Sequence, residues 1–512
     1  MELDVDGELP GWLVGRLIRN GPGQFEAGDT QLAHWFDPYA LLRGFRIDGR
    51  ENTVRYTNRF VRSEDFAYAR REGGVRRMLP GTPPDRSVLT RLRHALGGAF
   101  QDNPSIGVQR FGSELSAVTE SPVGIDVDTE TLETRGRRDL TTGLDEVDVT
   151  LSHPHYDPDR EVFLNLGISY GRETTYTLFE RDARTAQPTR LGQVTFDDAP
   201  YAHSFAVTDE FAVIAAIPFG LDASGLLRDS ITGGTFVDNV VAFDRDAEFV
   251  VLDRETSEVT AEVPADPFFV YHHANAFVVD SDGRPVDGDP RRRTPADESS
   301  DPTATESNEA DDAETADDWE WVGEPGEPAA IVIDLIAYED ERAITRLTID
   351  NLRSSDPDVP TGDLVRYRVP LDGDRATRET LYEGHVEFPT IDYNRGVGRR
   401  HRYVYLAAND PGSSLPTELV KYDTHERTAR TWTPEGDRYP AEPLFEPAPG
   451  ADAEDAGAIV TTVLDADAER TELVVLDARD MTVVARAALP HALPYGFHGQ
   501  FYRDVRPVRS MA

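Results

Sequence analysis

The stretch ELVKYDTHERTARTW, residues 418–432, shows the pattern that decides the fold. Apolar and polar residues alternate on both sides of Asp423, and a few polar residues follow this aspartate. Alternation with a period of two is typical of β-strands that bury one face. Aspartate favours a turn because its carboxylate accepts hydrogen bonds from backbone N–H groups two residues on. The stretch therefore predicts a β-hairpin with a tight polar turn.

The same unit recurs along the chain, for example at EFVVLDRETSEVTAEV (248–263) and ELVVLDARDMTVVARA (472–487). The last three turn aspartates are 51 and 54 residues apart, a spacing typical of four-stranded propeller blades. The sequence thus predicts an all-β, seven-bladed β-propeller that occupies residues 1–512 as a single domain. A large β-sandwich with many hairpins is the alternative. The seven turn aspartates are Asp48, Asp128, Asp182, Asp253, Asp372, Asp423 and Asp477.

The composition excludes several classes of protein. The chain has 52 Lys and Arg against 94 Asp and Glu, a formal net charge of −42, which argues against nucleic acid as a partner. It has no cysteine, so disulfides, cysteine-ligated zinc and iron–sulfur clusters are excluded. The longest apolar run, 211–219, is too short to span a bilayer, and the first residues do not resemble a signal peptide. We therefore expect a soluble cytoplasmic protein.

The acidity extends along the whole chain, and it peaks in one segment. Residues 281–328 are rich in Pro, Ser, Thr and acidic residues, which predicts a disordered acidic insertion within the domain. Self-repulsion by the remaining acidic residues is screened at molar salt, where the Debye length falls to about 3 Å. A halophilic source, with a cytoplasm rich in salt, is the simplest interpretation.

Distinctive strings that contain histidine or glutamate follow the hairpins, most of them 15 to 25 residues after a turn aspartate. In a propeller the innermost strand of each blade begins near the central axis, so these side chains would converge there. Imidazole binds first-row metals, and a ligating histidine usually donates its other N–H to a carboxylate. A metal centre of four histidines with three supporting glutamates is therefore chemically coherent, and ordinary strand histidines are the alternative. The residues are His153, His203, His272 and His498, with Glu120, Glu387 and Glu442.

Two of these positions are ambiguous from the residues alone. His153 and His155 are two residues apart and could face the same way on a strand. His272 and His273 are successive and face opposite ways on a strand, so only one of them could bind a metal.

At these strings the sequence resembles the carotenoid cleavage oxygenase family, and the resemblance runs nearly end to end. It begins with GWLVGRLIRNGPGQFE (11–26), continues with HWFDPYALLRGFRI (34–47) and YTNRFVRS (56–63), and ends with GFHGQFY (496–502). The resemblance implies a seven-bladed propeller with a cap of loops and helices over the metal face. It also implies one Fe(II) per chain, held by His153, His203, His272 and His498, with Glu120, Glu387 and Glu442 bonded to the ligands. It selects His153 over His155 and His272 over His273.

The resemblance implies a dioxygenase that adds O₂ across a conjugated C=C bond of a carotenoid or apocarotenoid and releases two carbonyl products. Retinal is one candidate product. The partners would be O₂ and a hydrophobic polyene, with no reductase. Other functions stay open: cleavage of stilbenes or phenylpropenes, retinoid isomerisation, or, outside enzymes, an acidic propeller that serves as an interaction scaffold.

A polyene has to enter the protein from a membrane or a carrier. Residues 88–100, VLTRLRHALGGAF, place their apolar residues on one helical face. We predict a cap helix there that could make a peripheral contact with lipid. Packing of this helix on the propeller is the alternative.

Overall fold

A computed structural model describes residues 1–87, 101–286 and 326–503. Seven antiparallel sheets of four or more strands follow one another along the chain, and the innermost strands of neighbouring sheets contact each other. The prediction of a seven-bladed propeller, rather than a sandwich, is confirmed. The predicted helix 88–100 lies outside the described residues, as do residues 287–325 of the predicted acidic insertion.

The first four blades, each given from the axis outward, have the following strands. Blade 1 consists of Gly499–Tyr502, Val14–Arg19, Tyr39–Asp48, Thr53–Phe60 and Glu2–Leu3, and Pro22–Gln24 also pairs with its third strand. Blade 2 consists of Gly107–Phe111, Glu114–Val118, Val123–Val127 and Thr134–Asp139. Blade 3 has two short inner strands, Val149–Thr150 and His155–Asp157, followed by Val162–Ser169, Thr174–Asp182 and Pro188–Phe196. Blade 4 consists of Ala206–Val207, Phe211–Ala216, Ala247–Asp253 and Val259–Ala265.

The other three blades complete the ring. Blade 5 consists of Phe269–Val279, Ala330–Tyr338, Asp363–Pro370 and Thr377–Tyr382. Blade 6 consists of Val386–Thr390, Tyr403–Ala408, Glu418–Asp423 and Thr428–Trp432. Blade 7 has two inner strands, Arg438–Pro440 and Leu444–Pro447, followed by Gly457–Asp465, Arg470–Asp477, Val483–Ala488 and Val5–Gly7.

Both ends of the chain close the ring. Val5–Gly7 is the outermost strand of blade 7, whereas Gly499–Tyr502 is the innermost strand of blade 1 and pairs with Val14–Arg19. The chain therefore begins by pairing with its last blade and ends by pairing with its first, which links these two blades.

All seven predicted turn aspartates lie between the third and fourth strands of a blade. The carboxylate of each accepts from the backbone N–H two residues on, as Asp423 Oδ1 does from His425 N at 2.9 Å. The other six make the same contact. Because successive strands are antiparallel, these hairpins lie on the face opposite to the one where the innermost strands begin.

The connections between the second and third strands lie on the other face, and they build the cap. The connection in blade 4 holds a helix and a two-stranded ribbon, and the connection in blade 5 holds two short helices. Another helix, Glu64–Glu72, follows blade 1. Ser63 caps its N-terminus, because the Oγ of Ser63 accepts a hydrogen bond from Phe66 N at 3.1 Å. The predicted cap is therefore present. In the described parts of the chain, the remaining helical segments are Ala223–Thr232, the 3₁₀ turn Val237–Asn239, Arg342–Thr345, Ile349–Leu352 and Tyr393–Gly396. The two ribbons there are Phe219–Leu221 with Val240–Ala242 and Glu26–Ala27 with Thr30–Gln31.

The acidic insertion leaves the sheet on the face away from the cap. It connects the first and second strands of blade 5, where Ala329 N still donates to Val279 O at 2.9 Å. Its two ends are thus joined to the sheet far from the beginnings of the innermost strands.

Aromatic side chains fill the space between blades. Between blades 4 and 5, the rings of Phe249, Phe268 and Tyr367 are fully buried, and their centroids lie 5.0 to 5.7 Å apart. Removing one such ring costs about 3–5 kcal/mol, so these contacts hold the blades in register. Within the described ranges, no helix combines the length and the apolar character needed to cross a membrane.

Candidate metal centre

Four histidine rings meet on the central axis, on the face that carries the cap. His153 lies between the two inner strands of blade 3, His203 just before the inner strand of blade 4, His272 within that of blade 5 and His498 just before that of blade 1. Nε2 of His153 is 3.0 Å from Nε2 of His203, and Nε2 of His272 is 3.2 Å from Nε2 of His498. One ring nitrogen of each histidine lies within 4.8 Å of those of the other three.

The innermost strands are irregular where they reach this cluster. The pairing register of the inner strand of blade 5 shifts on either side of His273, next to His272. The inner strand of blade 6 shifts between Glu387 and Thr390, and Phe388 there has a φ of 54°. Such bulges re-aim side chains next to functional sites. These irregularities lie where His272 and Glu387 meet, with Nδ1 of His272 at 2.5 Å from Glu387 Oε2.

The neighbouring histidines have other partners. Nε2 of His155 lies 2.7 Å from Phe205 O, and Nδ1 of His273 lies 2.8 Å from Ser204 Oγ. Burial lowers the pKa of His155 to about 4 and that of His273 to about 3. Both rings are therefore neutral side chains of the inner sheet, outside the cluster of four that the resemblance selects.

Glu387 contacts His272 most closely. Nδ1 of His272 donates to Glu387 Oε2 at 2.5 Å, and the N–H of Phe388 donates to the same oxygen at 2.7 Å. The hydroxyl of Tyr338 donates to the other oxygen, Oε1, at 2.7 Å. Burial alone would lower the pKa of His272, but the charge and hydrogen bond of Glu387 raise it above its ordinary value. The Nδ1 proton is thus firmly held, and the lone pair of Nε2 faces the cluster.

Glu442 supports His498 in the same way but with different neighbours. Nδ1 of His498 donates to Glu442 Oε1 at 2.8 Å, and the N–H of Gly499 donates to Oε2 at 2.8 Å. The guanidinium of Arg19 lies 3.5 Å from the same Oε2. Burial lowers the pKa of His498, and Glu442 offsets this only in part.

Glu120 lies beside His203, but its position within its blade differs from the one predicted. Its Oε1 lies 2.6 Å from Nδ1 of His203. Six of the seven predicted residues lie in or beside an innermost strand, whereas Glu120 follows Glu114–Val118, the second strand of blade 2. The expectation of one common position per blade is therefore wrong for Glu120. It still reaches the axis because the second strand ends on the face where the first begins.

His153 differs from the other three histidines. Within the described residues it has no carboxylate at ion-pair distance, and its hydrogen-bonding contact is the 3.0 Å approach to Nε2 of His203. Burial and the surrounding histidines together lower its pKa well below the ordinary value. The ring of His153 is therefore neutral, and no carboxylate of the described residues orients it.

Arg19 joins the two chain segments that carry Glu442 and His498. Its side chain is almost fully buried, and its guanidinium donates to Glu442 O at 3.1 Å and to Phe497 O at 2.9 Å. Arg19 was not among the residues predicted from the sequence, although it stands in the string GWLVGRLIRNGPGQFE that carries the resemblance. Tyr338 was also missed, and its position at the end of a buried strand offers no signal.

The donor set fits a divalent first-row metal ion. Two nitrogen ligands about 2.1 Å from a metal and at right angles to each other are about 3.0 Å apart. The observed Nε2 separations are 3.0 and 3.2 Å. Imidazole suits iron, cobalt, nickel, copper and zinc, and the glutamates occupy the Nδ1 side of three rings. The four Nε2 atoms are therefore available to one ion.

A cavity that opens to solvent adjoins the histidines. Its wall includes His203, His272 and His498 and is mostly apolar elsewhere. The aromatic residues that line it are Trp35, Phe36, Tyr271, Tyr338, Phe388, Tyr495 and Phe497. A long apolar molecule could lie against these rings with one part beside the metal centre.

Comparisons with known proteins agree with this geometry. The sequence model of the family described as retinal pigment epithelial membrane protein matches residues 1–503. The chain is 28% identical to rat β,β-carotene 15,15′-dioxygenase over 98% of its own length and 88% of the relative. It is 30% identical to carotenoid cleavage dioxygenase 8 homolog B of rice over 97% of its own length and 81% of the relative.

Solved structures give the same result. A point mutant of apocarotenoid oxygenase from Synechocystis superposes with a TM-score of 0.79 at 25% identity, over 98% of this chain and 96% of the other. The cobalt-substituted form of that enzyme superposes with a TM-score of 0.78 at 25% identity and the same coverage. The chain therefore belongs to the carotenoid oxygenase family of enzymes, whose sequence model bears the name of the retinal pigment epithelial membrane protein.

Proposed function

We propose that this chain is a non-haem Fe(II) dioxygenase that cleaves a conjugated C=C bond of a carotenoid or apocarotenoid with O₂. The observation that carries the proposal is the convergence of four histidine nitrogens beside a largely apolar cavity. The names of the relatives, which are dioxygenases that act on carotenoids, support it. The cobalt-substituted Synechocystis structure supports a metal of similar size and charge.

We assign the metal to His153, His203, His272 and His498, one Fe(II) per chain. When bound, the iron would supply the activation of O₂, which protein side chains cannot provide. Glu387 and Glu442 hold the Nδ1 protons of His272 and His498 and so fix the tautomer that leaves Nε2 free. Glu120 lies in position to do the same for His203.

The protein needs to supply little further chemistry. Addition of one O₂ across a C=C bond and scission of that bond give two C=O groups, so atoms and electrons balance without a reductase. The cavity wall around Phe36, Tyr271 and Phe497 would hold the polyene and keep water away from the reacting carbons. Among the described residues that line the cavity, Glu387 is the only acidic one, and it is already bonded to His272 and Tyr338.

The location of the protein belongs to the same proposal. We propose a cytoplasmic enzyme of a halophile, because a charge of −42 favours solubility in concentrated salt. A peripheral contact of residues 88–100 with lipid would give a polyene a route to the cavity.

The test is reconstitution of the purified chain with Fe(II) in molar salt. It is incubated with a panel of carotenoids, apocarotenoids, retinoid esters and stilbenes, and the products are identified by mass spectrometry under ¹⁸O₂. We expect aldehydes from the polyenes, with label in both carbonyls once exchange with water is controlled. Retinal would locate the cut at the centre of a carotene, and other aldehydes would place it elsewhere.

Two controls make this test decisive. His272→Ala should abolish cleavage and metal binding, whereas His273→Ala, which changes a buried ring that lies outside the cluster, should keep both. Unlabelled isomers as the sole products would support retinoid isomerisation. Products from stilbenes alone would support the phenylpropene alternative, and no turnover with any substrate by a metal-loaded protein would leave only a binding scaffold.

A further inference from the structure

One part of the cavity wall is polar, and blade 6 provides it. His385, Asn409 and Ser414 line the cavity, and all three are half-buried. His385 comes just before the innermost strand of blade 6, while Asn409 and Ser414 lie in the connection between its second and third strands. That connection is further from the axis than the histidine cluster. We call these three residues the polar patch, and its apolar neighbours on the wall are Val359, Pro360, Leu415 and Pro416.

The polar patch has hydrogen-bonding groups that the protein itself does not use. Neither the ring of His385 nor the hydroxyl of Ser414 bonds to any residue in the described parts of the chain. The amide nitrogen of Asn409 donates to Ser413 O at 3.3 Å, and within the same ranges its Oδ1 has no protein partner. The adjacent Ser413 differs, because its Oγ donates to Leu415 O at 2.6 Å and is used within the loop.

The backbone holds the patch in place. The N–H of Asn409 donates to His385 O at 3.0 Å, which joins the loop to the start of the innermost strand. His385 has a φ of 48°, in the left-handed region that non-glycine residues adopt at some cost. The imidazole and the Asn409 side chain are thus set on one wall by fixed main-chain contacts.

We infer that the polar patch binds the hydroxyl group at the end of an oxygenated polyene, so that the substrate is a hydroxylated carotenoid or apocarotenoid. This inference rests on the proposed function. A hydroxyl can donate to Asn409 Oδ1 and accept from Ser414 Oγ, two groups that the protein leaves unused, and His385 lines the same wall. A hydrocarbon end would displace water from these groups and return no hydrogen bond, which costs affinity. The patch therefore selects for the oxygenated substrate.

The test compares substrates that share one polyene and differ only in a ring hydroxyl. One pair is β-carotene and zeaxanthin, and the other is an apocarotenal and its ring-hydroxylated counterpart. For the iron-loaded wild type we expect kcat/KM to favour the hydroxylated member by about 3- to 10-fold, as one or two net hydrogen bonds allow. A preference for zeaxanthin over β-carotene identifies a full-length carotenoid as the substrate. A preference seen only between the two apocarotenals identifies an apocarotenoid as the substrate.

Two neighbouring serines give a matched pair of variants. Ser414→Ala should bring the ratio for the hydroxylated and plain substrates to within about 2-fold of one. Ser413→Ala removes an equivalent hydroxyl from the same wall, but this hydroxyl is already bonded to Leu415 O, so the ratio should stay as in the wild type. Equal loss of preference in both variants would show that loop integrity, not the patch, sets the ratio.

A binding measurement separates this inference from the proposed function. Quenching of tryptophan fluorescence, to which Trp35 in the cavity wall contributes, gives dissociation constants without turnover. A binding preference for hydroxylated polyenes that Ser414→Ala abolishes would support the patch even if no product forms, in which case only the dioxygenase proposal fails. Cleavage of both members of each pair with equal kcat/KM, in wild type and Ser414→Ala alike, would overturn the patch and leave the dioxygenase standing.

Discussion

The glutamates beside the histidines should not respond equally to replacement by glutamine. Glutamine keeps the shape of glutamate but turns one acceptor oxygen into an NH₂ donor. At Glu442 every neighbour of the carboxylate is a donor: His498 Nδ1 and Gly499 N at 2.8 Å, and Arg19 at 3.5 Å. In Glu442→Gln the NH₂ group must therefore face a donor, whichever way the amide is turned.

At Glu387 one of the neighbouring groups, the hydroxyl of Tyr338, can change from donor to acceptor. His272 Nδ1 and Phe388 N both donate to Oε2, at 2.5 and 2.7 Å, so the glutamine oxygen can take that place. The new NH₂ group then faces the hydroxyl of Tyr338, 2.7 Å from Oε1, and a hydroxyl can turn to accept. Glu387→Gln thus keeps every neighbour paired.

The expected losses of metal affinity in the two glutamine variants can be estimated. Replacement of a group that supports a metal ligand costs about 10- to 100-fold in metal affinity. We place Glu387→Gln near 10-fold and Glu442→Gln at 100-fold or more, because a buried donor without an acceptor costs a further 1–3 kcal/mol, about 5- to 150-fold. Competition titration with Co(II), whose visible spectrum reports the ligand field, measures this affinity directly.

A second substitution tests the role assigned to the tyrosine. Tyr338→Phe alone should have a small effect on metal affinity, but combined with Glu387→Gln it should cost more than the sum of the two single changes, because the amide then has no acceptor. Equal losses for Glu387→Gln and Glu442→Gln, or additive behaviour with Tyr338→Phe, would refute this account of the carboxylates.

Four further outcomes are expected. Alanine at any of the four clustered histidines should remove the metal as measured by metal analysis, whereas His155→Ala should keep it. Burial and then the charge of Asp102 raise the pKa of Asp65 from 3.8 to about 7, so the native state keeps this proton to a higher pH than the unfolded chain does. The free energy of unfolding should then fall as pH rises through this window, and the melting temperature of Asp65→Asn should depend less on pH there. Melting temperature should also rise steeply with salt above about 0.1 M, and a flat salt profile would contradict the proposed halophilic origin. Deletion of residues 297–318 should leave metal binding and the melting temperature in molar salt unchanged, since this stretch of sequence contains acidic and small residues and no large apolar side chain.

The hairpins were predictable because their cause is local. An aspartate such as Asp423 bonds to the backbone two residues on, and the strand alternation on either side is visible in the letters themselves. Assembly into seven blades then follows from counting the units and their spacing. Nothing in this step depends on contacts between distant parts of the chain.

The residues of the site were harder to predict from local patterns, because they lie where the innermost strands are irregular. A regular strand would place His153 and His155 on one side, yet a break in the inner strand of blade 3 separates them. The register shifts beside His272 likewise leave no mark in the sequence. The resemblance supplied the choice there, and the assignment of these histidines as metal ligands stays a prediction. Counting from Asp48 could not show that Glu120 follows the second strand of its blade, since only the pairing of the finished sheet reveals it.

The charges around the histidines explain why so many acidic side chains can lie together near the axis. Three carboxylates approach the rings, at 2.6 Å for Glu120, 2.5 Å for Glu387 and 2.8 Å for Glu442, and one guanidinium, that of Arg19, lies 3.5 Å from Glu442. With neutral histidines these four groups sum to −2. Buried charge is costly unless it is balanced, so such a site gains most from an ion of charge +2. A monovalent ion would leave it negative, and a trivalent ion would leave it positive. Neutral rings would supply the lone pairs to such an ion, and the carboxylates behind them, together with Arg19, favour a charge of +2 over +1 or +3.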